Sequence, residues 1–526
     1  MDIVIKNAKI IDGSGKAAYE GTVGVSDGKI VLDGDMEHAA HIIDAAGKYV
    51  APGFVDSHSH GDELIGADDF GELCKVNQGV TTQVVGQCGI SSAPTSGKTK
   101  CDPLISPENM NAELVEMTKR GLSWAEYMQF VRRVPKVTNY KFFVGFNTIR
   151  AAVLGFDNRK PNAAELEQMR SLLREAMECG AVGMSSGMIY VPGTYADTDE
   201  LVAVASAMAP YGGIYATHMR NESGDLLASV QEAIEIGRRA GVAVNISHFK
   251  VLGKKNWGTH KQAVAAIEQA RAEGVDVTCD QYPYDSCMTY YTPCIPPWHF
   301  SDGMDALIEK LKSEAFRQQV RQEICSPETD FENWYLNSGG WDGITICTSP
   351  CVREAEGLTV AAYAQKIGKD PFDAYFDLVI ENKGLGTAVY HAMSDDDVAD
   401  IIRLPYVMVG SDGIVNRRNE KCHPRGWGTM ARAISFFCKE RGELPLEELI
   451  YRMTGQPAQR FALDGKGYIR EGYDADLVVF DYDNLRDNAT YADPTALADG
   501  IDFVIINGEV VYRDHALTGV YPGKVL

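Results

Sequence analysis

Apolar and polar positions alternate along this chain in two rhythms. The rhythm at the ends is short: Ile3-Val-Ile, Lys9-Ile-Ile, Thr22-Val-Gly-Val, Lys29-Ile-Val-Leu and His41-Ile-Ile stand between Gly and Asp turns, a pattern that predicts β-strands. Ala475-Asp-Leu-Val-Val-Phe480 and Phe503-Val-Ile-Ile-Asn-Gly-Glu-Val-Val-Tyr512 repeat the texture, the second folding back at an Asn-Gly turn. Strand-rich ends around a different middle predict a small β-sandwich domain built from both termini, residues 1–52 plus 465–526.

The middle, residues 53–464, has a longer rhythm. Apolar runs recur at Gly53-Phe-Val-Asp, Val80-Thr-Thr-Gln-Val-Val-Gly, Lys141-Phe-Phe-Val-Gly-Phe, Ala181-Val-Gly-Met-Ser and Gly213-Ile-Tyr-Ala-Thr. Gly241-Val-Ala-Val-Asn-Ile-Ser, Gly274-Val-Asp-Val-Thr-Cys and Tyr406-Val-Met-Val-Gly follow. Most precede a segment of helical periodicity, among them Ala163–Cys179, Ser223–Ala240 and Lys261–Glu273. Eight strands in such alternation predict an α/β fold, a (β/α)8 TIM-like barrel. Thr345-Ile-Cys-Thr and Thr387-Ala-Val-Tyr also read as strands, so the pattern alone leaves the count open. An insertion at about 285–400 separates the seventh and eighth runs, and its aromatic start, Tyr282-Pro-Tyr through Pro296-Pro-Trp-His-Phe, reads as a substrate cover.

Charge narrows the partners. A net charge of −23 over 526 residues repels nucleic acid and anionic membrane surfaces, so neither is expected. The start, Met1-Asp-Ile-Val-Ile-Lys, lacks a basic n-region and a long apolar h-region, and no run approaches the ~18 apolar residues of a membrane span. Twelve scattered cysteines without a Cys-x-x-Cys pair suit a reduced, cytoplasmic protein. The pattern does not fix an oligomeric state.

Chemistry enters where the strand runs end. Gly53–Val55 leads into His58-Ser-His60, and residues two apart on a strand project to one face. Alone, a His-x-His is also what two polar loop residues look like. The run from Val80 ends at Cys88, Gly213–Thr217 at His218, Gly241–Ser247 at His248, and Tyr406–Ser411 at Asp412. Six metal-competent side chains therefore fall just past the carboxyl ends of strands, the ends that form the active-site face of such a barrel. Gly183-Met-Ser-Ser-Gly187 fits a Gly-x-Ser-x-Gly elbow, but Met188-Ile-Tyr-Val-Pro-Gly193 follows it where an elbow opens into a helix.

The Pro-Gly-Phe-Val-Asp-x-His-x-His opening, the order of these residues and the two-ended β domain resemble the amidohydrolase superfamily. Gly86-Gln-Cys-Gly-Ile-Ser91, Thr217-His-Met-Arg-Asn-Glu222, Ser247-His-Phe-Lys250, Asp280-Gln-Tyr-Pro-Tyr284, Gly410-Ser-Asp-Gly413 and His423-Pro-Arg-x-Trp-Gly428 are similar to its N-acyl-D-amino-acid deacylase (D-aminoacylase) branch. That branch places a cysteine where Cys88 stands, whereas many barrel amidohydrolases use a carboxylated lysine. Asn221, where Asp is expected, and Gly426, in place of a larger apolar residue, depart from the pattern without touching a ligand.

The resemblance implies a tight zinc on Cys88, His218 and His248. It also implies a second, weaker site on His58, His60, Asp412 and the shared Cys88. Asp412 is then the catalytic base, accepting a proton from water and returning it to the departing amine. The implied substrate is a small N-acyl-D-amino acid, whose α-carboxylate Lys250 and Arg425 would bind, with Tyr282 as hydroxyl donor. Tyr190, Tyr390 and Met393 are the candidate side-chain pocket. The cover segment 285–298 holds no Lys or Arg, so a neutral, hydrophobic D-side chain is expected, with Arg417 and Arg418 the two cations placed to alter that. A dipeptidase for C-terminal D-residues and a hydantoinase- or dihydroorotase-type cyclic amidase are the alternatives.

Overall fold

The computed structural model describes residues 1–96, 110–414 and 421–526. Eight parallel strands lie side by side in chain order: Phe54–Asp56, Val80–Val85, Asn139–Gly145, Gly183–Gly187, Ile214–His218, Ala243–Ile246, Val277–Gln281 and Val407–Val409. Most of their residues are buried, as expected of strands covered on both faces, which therefore read as near-continuous apolar runs. The sheet closes where the first strand meets the eighth: Ser59 and Gly413 form a parallel bridge, and Asp412 N–H donates to the His58 carbonyl at 2.7 Å. This is the expected barrel.

Its helices carry their own start signals. Asn162 caps Ala163–Glu178 in a reciprocal capping box with Glu165, and Leu226–Ala240 ends at Gly241 in the left-handed region. Among the described residues no helix is long and apolar enough to cross a membrane.

The strand count resolves in the insertion. Cys287–Tyr290, Ile344–Thr348 and Thr387–Tyr390 form a separate three-stranded antiparallel sheet, so the two extra strand-like runs belong to the cover. The fourth barrel strand begins two residues later than the apolar run from Ala181 suggests. A Cβ at Gly183 would lie 1.9 Å from the Ile214 carbonyl oxygen, so the close pairing there requires glycine. Ser185 is an interior strand residue whose hydroxyl donates to the Gly86 carbonyl at 2.5 Å; no nucleophile elbow forms.

The terminal runs join in one nine-stranded sheet with its own apolar core of Ile3, Ile5, Val25, Val50, Leu477, Val479 and Ile505. Ile3-Val-Ile and Lys9-Ile-Ile are one strand, Ile3–Ile10, with a bulge between Ile5 and Ala8. Asn507 and Gly508, both at positive φ, turn the hairpin between Ile501–Ile506 and Glu509–Arg513. Between Phe480 and Ile501 the chain leaves this sheet to reach the insertion and the barrel: Tyr491 OH donates to Asp285 Oδ1 at 3.0 Å, and Ala498 N–H to Asn77 Oδ1 at 3.0 Å.

Candidate active site

Each of the six candidate ligands sits at or just beyond the carboxyl end of a barrel strand, and all six are buried. His60 Nε2 lies 3.1 Å and His58 Nε2 3.4 Å from Asp412 Oδ1. Cys88 Sγ is 3.4 Å from His58 Nε2 and 3.3 Å from His248 Nε2. The His218 ring stands 4.4 Å from that of His248, and both its nitrogens are buried without a hydrogen-bond partner. Two donor sets result, His58/His60/Cys88/Asp412 and Cys88/His218/His248, each with its donor atoms within 4.8 Å of one another. Cys88, His248 and Asp412 all adopt positive φ, a conformation that non-glycine residues hold only under surrounding constraint.

The electrostatics fit a metal ion. Burial holds His218 and His248 well below the usual imidazole range, leaving them neutral and able to ligate at pH 7. Burial pushes the Cys88 thiol up to about 11, against the pull of His58, so ionising it requires a cation. Burial alone would also raise Asp412, but the charge of Arg425, joined by His58 and the hydrogen bond from His60, outweighs it and holds the carboxyl well below its ordinary range. A nitrogen-and-sulfur set with orphaned buried imidazole atoms suits zinc.

Two carboxylates hold the ligands from behind. Asp280, in the seventh strand, faces His58 Nδ1 at 3.0 Å and accepts the His248 N–H at 2.7 Å. Glu222 Oε1 lies 3.0 Å from His248 Nδ1. Such partners orient an imidazole and fix its tautomer. The sequence motifs contain both residues, but nothing local marks their roles.

The candidate substrate residues divide into two groups. Lys250, Arg425 and Tyr190 line a narrow chamber above the ligands, with Ile90, Met288 and Trp334. Both cations are already paired: Lys250 Nζ lies 2.7 Å from Glu222 Oε2, and Arg425 Nη1 2.8 Å from Asp412 Oδ2. Tyr282, Tyr390 and Met393 line neither this chamber nor the larger cavity beside it. Tyr282 donates its hydroxyl to Met393 Sδ at 3.6 Å beneath Arg425, and Tyr390 donates to the Tyr290 carbonyl at 2.6 Å. The two hydroxyls and the Met393 sulfur are engaged by the protein itself. Arg417 and Arg418 lie outside the described residues.

Ile90, Tyr190 and Trp334 also belong to the wall of the larger cavity, of about 1190 Å³, which opens under the insertion. Glu332, unmarked by any sequence motif, lines it and accepts the Glu222 N–H at 2.6 Å.

A model of the amidohydrolase family matches residues 41–275 and 355–512. A D-aminoacylase of Alcaligenes xylosoxydans xylosoxydans is 35% identical over 530 residues, covering 100% of this chain and 97% of that protein. An N-acyl-D-aspartate deacylase of the same organism is 33% identical, over 100% of this chain and 95% of its own length. In three dimensions the chain is similar to the N-acyl-D-glutamate deacylase of Bordetella bronchiseptica, solved with zinc and a phosphonate mimic of the tetrahedral intermediate. That likeness has a TM-score of 0.82 at 32% identity and covers 100% of this chain and 99% of the other.

Proposed function

Because the chain belongs to the amidohydrolase family, in the branch of the N-acyl-D-amino-acid deacylases, we propose that it is a zinc hydrolase. It releases a carboxylate and a free D-amino acid from N-acyl-D-amino acids that carry neutral, hydrophobic side chains. The main support is the pair of donor sets that meet at Cys88 beneath a chamber holding one carboxylate and two cations.

Cys88, His218 and His248 would hold the tight zinc, and His58, His60 and Asp412 the weaker one. When bound, zinc polarises the amide carbonyl and acidifies water at the site. Asp412 faces the chamber as a buried anion and is the group that takes the proton of the attacking water. It returns that proton to the amine, which is too basic to leave unprotonated. Lys250 and Arg425 receive the α-carboxylate; since Glu222 and Asp412 already hold them, the substrate shares these ion pairs rather than forming new ones.

The larger cavity favours a neutral side chain. Besides Glu332, whose carboxyl is pushed up to about 8, five carboxylates line it against Arg220 and Lys383, and Arg220 is already tied to Glu232 at 2.9 Å. A second substrate carboxylate entering there would meet like charge. The dipeptidase and cyclic-amidase alternatives are not favoured, because the relatives 33–35% identical over the full chain are a D-aminoacylase and an N-acyl-D-aspartate deacylase.

Assaying N-acetyl-D-methionine and N-acetyl-L-methionine, with metal analysis on the same sample, tests the reading. Turnover of the D-form by protein holding at least one zinc per chain is expected. Turnover of the L-form alone, or full activity in protein stripped of metal, would overturn it.

A further inference from the structure

Lys75 is a buried cation remote from any expected role. It lies on the helix Asp69–Val76 and is 0% exposed. Its Nζ donates to Asp56 Oδ2 at 2.8 Å and to Ser411 Oγ at 3.0 Å. Asp56 ends the first barrel strand, two residues before His58; Ser411 immediately precedes Asp412. Asp56 Oδ1 accepts the Ser411 N–H at 2.8 Å and Oδ2 the Ser411 hydroxyl at 2.6 Å, while Ser411 Oγ accepts the Gly413 N–H at 2.9 Å.

This network crosses the weakest join in the barrel. Between first and eighth strands the Ser57 N–H reaches the Val409 carbonyl only at 3.4 Å. The next links are made by the ligands' own backbones: Asp412 N–H to His58 O at 2.7 Å, and His60 N–H to Gly413 O at 3.2 Å. A shift of the seam would therefore move His58, His60 and Asp412 relative to one another, and the left-handed backbone at Asp412 needs that seam to hold it. Cys88, His218 and His248 hang on other strands.

We infer that Lys75 is a positioning residue. By binding Asp56 and Ser411 together across the seam, it sets the geometry of the His58/His60/Asp412 half of the site and leaves the Cys88/His218/His248 half untouched. The kinetic part of its test rests on the proposed deacylase reaction; the zinc part does not.

The test is Lys75→Met, read by kcat and KM and by zinc titration against a chromophoric chelator. Arg150→Met serves as control, since it breaks a comparably buried ion pair, Arg150–Glu200 at 2.9 Å, that touches none of these ligands. Lys75→Met is expected to keep its tight zinc, to bind the second zinc on the order of 10- to 100-fold more weakly, and to lose a similar factor in kcat with KM little changed. Arg150→Met should lose thermal stability without either effect. If Lys75→Met binds both zincs and turns over within about twofold of wild type, or is no more affected than Arg150→Met, the inference is overturned. Should Lys75→Met fail to fold, Ser411→Ala, which deletes one hydroxyl, decides by the same two measurements. If no N-acyl-D-amino acid is turned over by wild type, the deacylase reading falls, and zinc titration alone decides the role of Lys75.

Discussion

Arg425 Nη1 lies 2.8 Å from Asp412 Oδ2, and both side chains are buried. The guanidinium also donates to the Met288 carbonyl at 3.1 Å and lies over the Tyr282 ring, its carbon 4.8 Å from the ring centroid. Arg425 is therefore a buried cation set against the Asp412 carboxylate through one nitrogen, with its plane fixed by Met288 and Tyr282. Arg425→Lys keeps the charge but loses the plane and its stacking face. The variant should retain its zinc while kcat/KM for N-acetyl-D-methionine falls on the order of 100-fold, or about 2.7 kcal/mol. Unchanged kcat/KM would remove Arg425 from both roles.

Cys88 is the side chain common to both donor sets. With its thiol pushed up to about 11 by burial, it becomes a thiolate near neutral pH only against a bound cation. Cys88→Ala should lose metal and activity together, and in wild type zinc binding should release a proton and weaken as pH falls. Full zinc and full turnover in Cys88→Ala would refute the shared-ligand assignment.

Asp412 belongs to the His58/His60/Cys88/Asp412 set and not to the Cys88/His218/His248 set. Asp412→Asn should fold and keep the zinc on Cys88, His218 and His248. Its kcat should drop by roughly 10²–10⁴-fold from loss of the base, with loss of a ligand adding to that. Near-normal kcat would take Asp412 out of the mechanism.

The barrel was legible because strands buried on both faces must be apolar throughout, and the cluster of candidate ligands because each follows the end of such a run. The fourth strand was displaced since Gly183, Ser185 and Ser186 serve close packing and hydrogen bonding rather than apolar burial. Thr345 and Thr387 carry the same local pattern as barrel strands; only their antiparallel partners distinguish them. Asp280 and Lys75 were invisible for a different reason. Asp280 acts on His58, 222 positions away, and Lys75 on Ser411, 336 positions away, so their meaning exists only after the barrel closes. The hydroxyls of Tyr282 and Tyr390 find their acceptors 111 and 100 positions away, pairings that no local pattern shows.

Glu332 offers a pH signature. Burial, reinforced by the Glu222 charge, pushes its carboxyl from 4.5 to about 8. Between those values the folded chain holds a proton that the unfolded chain has lost, so stability falls as pH rises through that window and levels off above it. Glu332→Gln keeps the oxygen that accepts the Glu222 N–H and cannot ionise. In urea unfolding of metal-depleted protein at pH 6 and pH 9, the variant should gain on wild type at the higher pH. A constant difference between the two would show that Glu332 does not titrate in this window.

The side-chain preference is decided by where cations are absent. A D-aspartate or D-glutamate side chain needs a partner for its second carboxylate, because burying it unpaired costs several kcal/mol. Among the described lining residues the cations are Lys250 and Arg425 in the chamber and Arg220 and Lys383 in the larger cavity. The first three are held by Glu222, Asp412 and Glu232, and under the proposed function the first two also receive the α-carboxylate. Lys383 alone faces the rest of a wall rich in carboxylates. Ile90, Tyr190, Met288 and Trp334 instead offer an apolar and aromatic surface next to the ligands. N-Acetyl-D-methionine should therefore exceed N-acetyl-D-glutamate in kcat/KM by at least about tenfold, or 1.4 kcal/mol. An advantage for the glutamate substrate would reverse the assignment and direct attention to Arg417 and Arg418; loss of that advantage in Arg417→Ala or Arg418→Ala would then identify the missing cation.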